Sequence, residues 1–342
     1  MDGPFPLVPP APTASPALLS ALARLRLEGA IFLRGEYTES WAIRSGGRTI
    51  ADLVHPGAER VIMFHVVAAG LCWVQVDGDD ERHWAAAGQV IVVPYGHPHT
   101  MGGVADAVPV GSDTLVDEPP WTTMPVLRVG DGGARTDIVC GYLSSDDPLF
   151  EPTLGALPPL FVVRPPPGVA TGWVQSSIAY ALEATADGVT TDSLVATRLP
   201  ELLLTEMLRL HLATAPATDR GWAAGLHDPV LAPAMALIHT VPERHWTVAD
   251  LASEVAVSRS VLDERFRGVL GRSPIRYLTE WRMHIAEELL ATSDASVVTV
   301  AHRVGYDSEE AFSRAFKRAT GLAPAHWRGQ RSGAPPGTAP GR

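Results

Sequence analysis

Between Gly88 and His99 the chain reads GQVIVVPYGHPH, which places His97 and His99 just after a turn built on Pro94 and Gly96. Imidazoles at this spacing can hold a metal ion or hydrogen-bond a small molecule. A metal site needs three or four converging ligands, and the preceding apolar run, residues 61–78, adds only His65. The other reading is that these histidines shape a turn or line a pocket without metal. His65, His97, His99 and Trp73 are therefore effector-pocket candidates, and metal stays an open question. The only two cysteines, Cys72 and Cys140, cannot make a disulfide framework. A reactive thiol wants an exposed, electropositive setting. Cys72 lies in the apolar run Leu71-Cys72-Trp73-Val74 and reads as buried, while Cys140 follows Asp137-Ile138-Val139. Both stand as redox candidates. No set of nucleophile, base and orienting group is visible, so neither a catalytic residue nor a cofactor is expected.

A second kind of chemistry is written near the C-terminus. Ser258, Leu262, Phe266, Arg267, Gly271 and Pro274 recur fifty residues on as Ser308, Phe312, Phe316, Lys317, Gly321 and Pro324. Upstream, Leu251, Ala252 and Val255 recur as Val300, Ala301 and Val304 at an offset of forty-nine, so the second copy has one extra residue in its turn. Each copy reads as a short helix, a tight turn and a longer, serine-capped helix, which is a helix-turn-helix. An α-helix fits the DNA major groove, where base edges display a distinct donor and acceptor pattern. Two such units joined by one helix over residues 275–291 would enter adjacent groove segments about 34 Å apart. The first longer helix would bury Val261, Leu262, Phe266, Val269 and Leu270.

The elements around these residues follow from composition and punctuation. The chain has 342 residues, enough for two domains, and is 46% hydrophobic and 19% charged, which excludes wholesale disorder. Residues 31–142 hold short apolar runs broken by Gly, Pro and Asp, the pattern of an antiparallel sandwich or barrel, with His99 at its mouth. Residues 172–187 and 193–213 read as helices. In the second, Leu194, Leu199, Leu202, Leu203, Met207, Leu208 and Leu210 form an apolar stripe that suits packing on the barrel or a homodimer interface through 172–213. The expected fold class is α+β and multidomain: an N-terminal antiparallel β-barrel with helices and an all-α C-terminal domain. The boundaries are a tail at 1–16, a sensor domain at 17–213, a linker at 214–228, the DNA-binding domain at 229–328 and a tail at 329–342. The net charge of −11 is concentrated at the N-terminal side. From Asp228 onward 14 basic residues meet 13 acidic ones, leaving 13 and 25 before it. Charge alone is thus weak support for nucleic acid. No apolar run is long enough to span a membrane, no secretory leader is apparent, and the two cysteines suit a reducing cytoplasm.

Over residues 230–328 the sequence resembles the AraC family of bacterial transcription regulators. Its most specific stretch is Val304-Gly305-Tyr306-Asp307-Ser308, Ala311 to Lys317 (AFSRAFK), Gly321-Leu322-Ala323-Pro324 and Trp327-Arg328. Gly88, Pro94, Gly96 and His99 resemble the second cupin signature, but the first signature's His-x-His pair is missing. Trp41, Met63-Phe64-His65-Val66, Cys140-Gly141-Tyr142 and Leu157-Pro158-Pro159-Leu160 resemble the cupin-type sensor of one AraC subgroup. The resemblance implies a sequence-specific, DNA-binding transcription factor controlled by an effector in the N-terminal domain. It implies base contacts at Ser260, Asp263, Glu264 and Arg267 in the first unit, and at Glu309, Glu310, Ser313 and Arg314 in the second. Some of the acids would instead pair with neighbouring arginines, as Glu264 with Arg267. Arg259, Lys317 and Arg318 would touch phosphates. The partners implied are double-stranded DNA, an unknown small-molecule or redox effector and, for an activator, RNA polymerase. The alternatives are a redox-responsive regulator using Cys72 and Cys140, or a metal-dependent cupin enzyme.

Overall fold

The computed structural model describes residues 16–24, 28–46, 60–116, 124–144, 157–166, 169–184, 194–214 and 221–332. They fall into two compact units. Residues 26–146 and 157–215 belong to the first, and residues 15–25 and 216–342 to the second.

In the first unit, the described residues form eleven strands in two sheets. They are β1 (Glu28–Tyr37), β2 (Ala42–Ser45), β3 (Val61–Ala69), β4 (Leu71–Val76), β5 (His83–Ala86), β6 (Val90–Val93), β7 (His99–Gly102), β8 (Val110–Gly111), β9 (Val126–Val129), β10 (Thr136–Ser144) and β11 (Phe161–Val163). The larger sheet runs β11-β6-β3-β10-β1-β9 and the smaller β5-β4-β7-β2-β8. One apolar core lies between them, drawing Leu33, Met63, Ile91 and Ile138 from the first sheet and Ile43, Val74, Ala85 and Met101 from the second. The expected closed antiparallel barrel is thus corrected to two open sheets, with β1–β9 and β2–β8 paired in parallel. The reason is local. β3 and β4 are separated only by Gly70, yet they belong to different sheets. Gly70 makes that crossing at φ +81°, where an added Cβ would lie 2.4 Å from the Arg135 carbonyl oxygen.

Two helices follow, α2 (Val169–Ala184) and α3 (Leu194–Thr214). α3 covers β1 and packs on α2. Leu203, Met207, Leu208 and Leu210 of the predicted stripe are buried, whereas Leu202 is 60% exposed. Leu194 is one of the residues whose side chains are not described.

The second unit is helical: α1 (Pro16–Arg24), α4 (Trp222–His227), α5 (Leu231–Thr240), α6 (Val248–Glu254), α7 (Arg259–Leu270), α8 (Pro274–Thr292), α9 (Val297–Arg303), α10 (Glu309–Thr320) and α11 (Pro324–Ser332). Two segments near the expected boundaries are helical. α1, which the sequence reading includes in the sensor domain, packs on α5 in this unit. The C-terminal half of the stretch read as a linker forms α4, because Trp222 is an apolar anchor: it is 6% exposed and its indole N–H donates to the Tyr277 hydroxyl at 3.1 Å. Residues 215–220 lie outside the described residues.

Candidate nucleic-acid interface and effector site

The two helix-turn-helix units are built alike, apart from one extra residue in the second turn. Ser258 Oγ accepts from Val261 N–H and Ser308 Oγ from Ala311 N–H, which caps α7 and α10. Leu262 and Phe266 anchor α7 as Phe312 and Phe316 anchor α10, all four with no exposed surface. Gly271 and Gly321 end these helices in the left-handed conformation, and Pro274 and Pro324 open the next ones. The turns correspond as well. Val257 N–H donates to Ala252 O in the first and Tyr306 N–H to Ala301 O in the second. Asp307, the extra residue, lies between that hydrogen bond and the Ser308 cap. The turn residue has positive φ in both copies, at Ala256 (+55°) and Gly305 (+80°). The nineteen-residue α8 joins the units. At 1.5 Å per residue it is about 28 Å long, somewhat shorter than one turn of DNA. Its Arg282 ties down the loop before α6, donating to Pro242 O at 2.7 Å and Arg244 O at 2.9 Å.

The predicted reading residues lie on the solvent face of these helices. Ser260, Glu264, Arg267, Glu309, Glu310 and Arg314 are exposed, and Asp263 and Ser313 are half-buried. The ion pairing differs from expectation in the first unit. Arg267 pairs with Asp263, Nε to Oδ2 at 2.7 Å, and not with Glu264, because residues four apart stack along the helix. Arg265 is engaged by Asp228 at 3.1 Å. In the second unit Arg314 and Glu310 are 3.9 Å apart, too far for a hydrogen bond. Glu309 and Glu310 occupy the first turn of α10, where acids also favour the positive end of the helix dipole. Arg259, Lys317 and Arg318 are exposed and carry no ion pair among the described residues. Sequence reasoning misplaced Val261. It was assigned to the buried face but is 40% exposed in the first turn of α7, where an apolar side chain can touch a thymine methyl group. Its place beside Ser260, between the cap and Asp263, was the available signal.

In the first unit the structure brings His65, His99 and Cys140 together in the sandwich core. Their protonation is set by elimination. His99 Nδ1 is 2.8 Å from the His97 carbonyl oxygen, which only accepts, so it carries the proton. His99 Nε2 then accepts from His65 Nε2–H at 2.7 Å. His65 Nδ1 in turn accepts from the Cys140 thiol at 2.9 Å. Burial first, then the neighbouring His99, pushes the His65 pKa down, and burial lowers that of His99. Burial pushes the Cys72 thiol up to about 12 and raises Cys140 further, with Cys72 adding to the shift. The result is a neutral thread of hydrogen bonds, with His65 and His99 at 2% and 0% exposure.

His99 therefore lies inside the fold and not at a mouth, because β7 alternates it inward with Met101. The His97 side chain is not in the thread; it is half-buried and its ring packs edge-on to Tyr95. Trp73 alternates to the opposite side of β4 from Cys72 and Val74, beneath the Arg82 guanidinium at 4.0 Å. The His65 and His99 Nε2 atoms share a proton and Cys140 sits on the other nitrogen of His65, so the three do not face one common point, and among the described residues no group of three or more His, Cys, Asp or Glu is arranged to hold a metal ion. An apolar chamber between the larger sheet and α2 and α3, lined by Phe64, Val139, Ser177 and Leu203, holds about 10 Å³, the room of one water. Among the described residues no helix is long and apolar enough to cross a membrane.

Comparison with known proteins agrees with both halves. Residues 17–213 match the Cupin family, and residues 251–330 match the family described as Helix-turn-helix domain. The chain is 35% identical over 297 residues to an AraC-like transcription regulator of Streptomyces lividans, an alignment covering 84% of this chain and 92% of that protein. It is 36% identical over 281 residues to another from Streptomyces antibioticus, covering 79% and 88%. It is 29% identical over 291 residues to the HTH-type transcriptional regulator AlkR of Acinetobacter baylyi, covering 81% and 90%. A doubled, capped reading helix behind a cupin sandwich, aligned almost end to end with such relatives, places the chain in the family of AraC-like transcription regulators.

Proposed function

We propose that the chain binds double-stranded DNA through α7 and α10, in adjacent major-groove segments, and that an effector acting on the cupin unit governs this binding. The observation that carries the reading is the repeated construction of the two units: the same caps, buried aromatic or aliphatic anchors and αL glycines hold two exposed polar faces on one connector. Bases would be read by Ser260, Asp263, Glu264 and Arg267 in α7 and by Glu309, Glu310, Ser313 and Arg314 in α10. Arg259, Lys317 and Arg318 would hold phosphates. A small organic effector is favoured over a redox signal. Both thiols are buried and held protonated, whereas a sensor thiol needs thiolate character and access. RNA polymerase contact and dimerisation through α2 and α3 belong to the same proposal; Trp173 and Tyr180, one heptad apart on α2, and Leu202 on α3 are exposed and support the second. Capture of fragmented genomic DNA by the full chain tests the core of it. Discrete enriched sites upstream of genes are expected; enrichment no better than background would overturn the reading.

A further inference from the structure

We propose that α1 is a working part of the DNA-binding unit: it docks on α5 and holds the first reading helix in position. The Cupin match begins at residue 17, yet residues 15–25 group with the helical unit. α1 buries Ala17, Leu18 and Leu22 to 5% exposure or less, while Leu19, on its other side, is 47% exposed. The contact is polar as well as apolar. His239, fully buried on α5, has Nδ1 at 3.2 Å from the Ala17 carbonyl oxygen and Nε2 at 2.8 Å from the Tyr277 hydroxyl. A carbonyl only accepts, so Nδ1 carries the proton and Nε2 accepts from Tyr277. The Tyr277 oxygen in turn accepts from Trp222. The same imidazole stacks on Trp281 of α8, ring centroids 3.7 Å apart at 10°. One hydrogen-bonded line thus joins α1, α5, α8 and α4, and α5 packs directly against α6, α7 and α8. Take α1 away, and the His239 N–H loses its acceptor while an apolar face of α5 meets water; both loosen the support under α7. α10 and α11 make no part of that line.

The test uses the full chain carrying Leu18→Glu and Leu22→Glu, with Leu19→Glu as the matched exposed control. It rests on the DNA-binding reading above, so it has one arm with DNA and one without. In the first, affinity is measured for a selected site and for sites scrambled in either half. The double variant is expected to bind roughly tenfold or more weakly and to become insensitive to scrambling the α7 half, while sensitivity to the α10 half persists and Leu19→Glu behaves as the native chain. Unchanged affinity and half-site sensitivity in a folded double variant would overturn the proposal. In the second arm, hydrogen exchange of the native chain is expected to protect residues 18–24 to the same degree as α5. Exchange of α1 at the rate of a frayed terminus would overturn the proposal even if the double variant fails to fold, and whatever the DNA arm shows.

Discussion

Arg314→Ala isolates base reading from everything else α10 does. The side chain is 71% exposed and its nearest carboxylate, on Glu310, is 3.9 Å away. An exposed pair of that geometry contributes almost nothing to folding. The helix keeps its Ser308 cap and its buried Phe312 and Phe316 anchors in the variant, so a change in DNA affinity is not a change in fold. A bidentate contact to guanine O6 and N7 is worth about 1–3 kcal/mol of discrimination, or roughly 5- to 150-fold in affinity. Lys317→Ala is the comparison, because a phosphate contact carries no sequence information. Its loss should weaken all sequences alike and lower the slope of log K against log salt by about 0.9. The assay is fluorescence anisotropy of the full chain on a selected site and its single-base variants at several salt concentrations. For Arg314→Ala, the native chain's preference at one base pair should vanish with the salt slope nearly intact. Uniform weakening with a reduced slope would refute the assignment and make Arg314 a phosphate contact.

Three further outcomes follow from particular atoms. Gly305→Ala should destabilise the helical unit by about 2–5 kcal/mol in denaturant unfolding, since φ is +80° and the new Cβ would lie 2.5 Å from Glu243 O and 2.6 Å from Arg282 Nη2; Ala256→Gly, at the corresponding turn, should be close to neutral, and a neutral Gly305→Ala would contradict the close approach at that turn. Stability should fall with acidification. His65 and His99 have folded pKa values below their unfolded value of about 6.5, as do His211 and His284 at about 4, so the unfolded chain takes up protons that the folded chain refuses. The melting temperature should therefore be level above about pH 7 and decline below about 6.5, and should decline less in a His65→Leu, His99→Leu variant; a melting temperature that rises on acidification would contradict the buried neutral thread. Cys72 and Cys140 should resist iodoacetamide in the native chain and react once unfolded, and mass spectrometry showing rapid native labelling would revive the redox reading.

Local signals in the sequence were reliable where the determinant is itself local. The caps at Ser258 and Ser308, the stops at Gly271 and Gly321 and the extra turn residue all depend on a few neighbours along the chain, and each stands where expected. The strand runs were legible for the same reason. What escaped was set by distant partners. Nothing near Pro16 announces that α1 packs on α5, because a nine-residue apolar helix can cover either unit. Trp222 looked like linker among Gly and Ala because its anchor, Tyr277, is 55 residues away. His99 was placed at a mouth by the glycine and proline before it, yet strand alternation and the pairing of β7 with β2 and β4 turn it inward to His65. The crossing of the chain between sheets at Gly70, which makes a sandwich and not a barrel, depends on a backbone approach that no hydropathy pattern records.

Two similar readers on one connector should engage one face of DNA. Selection from a randomised DNA pool by the purified full chain tests it most directly. Two blocks of base preference separated by about 10–10.5 base pairs centre to centre are expected, each weakened by changes in only one reading helix. A single block, or enrichment that follows base composition without position, would contradict it.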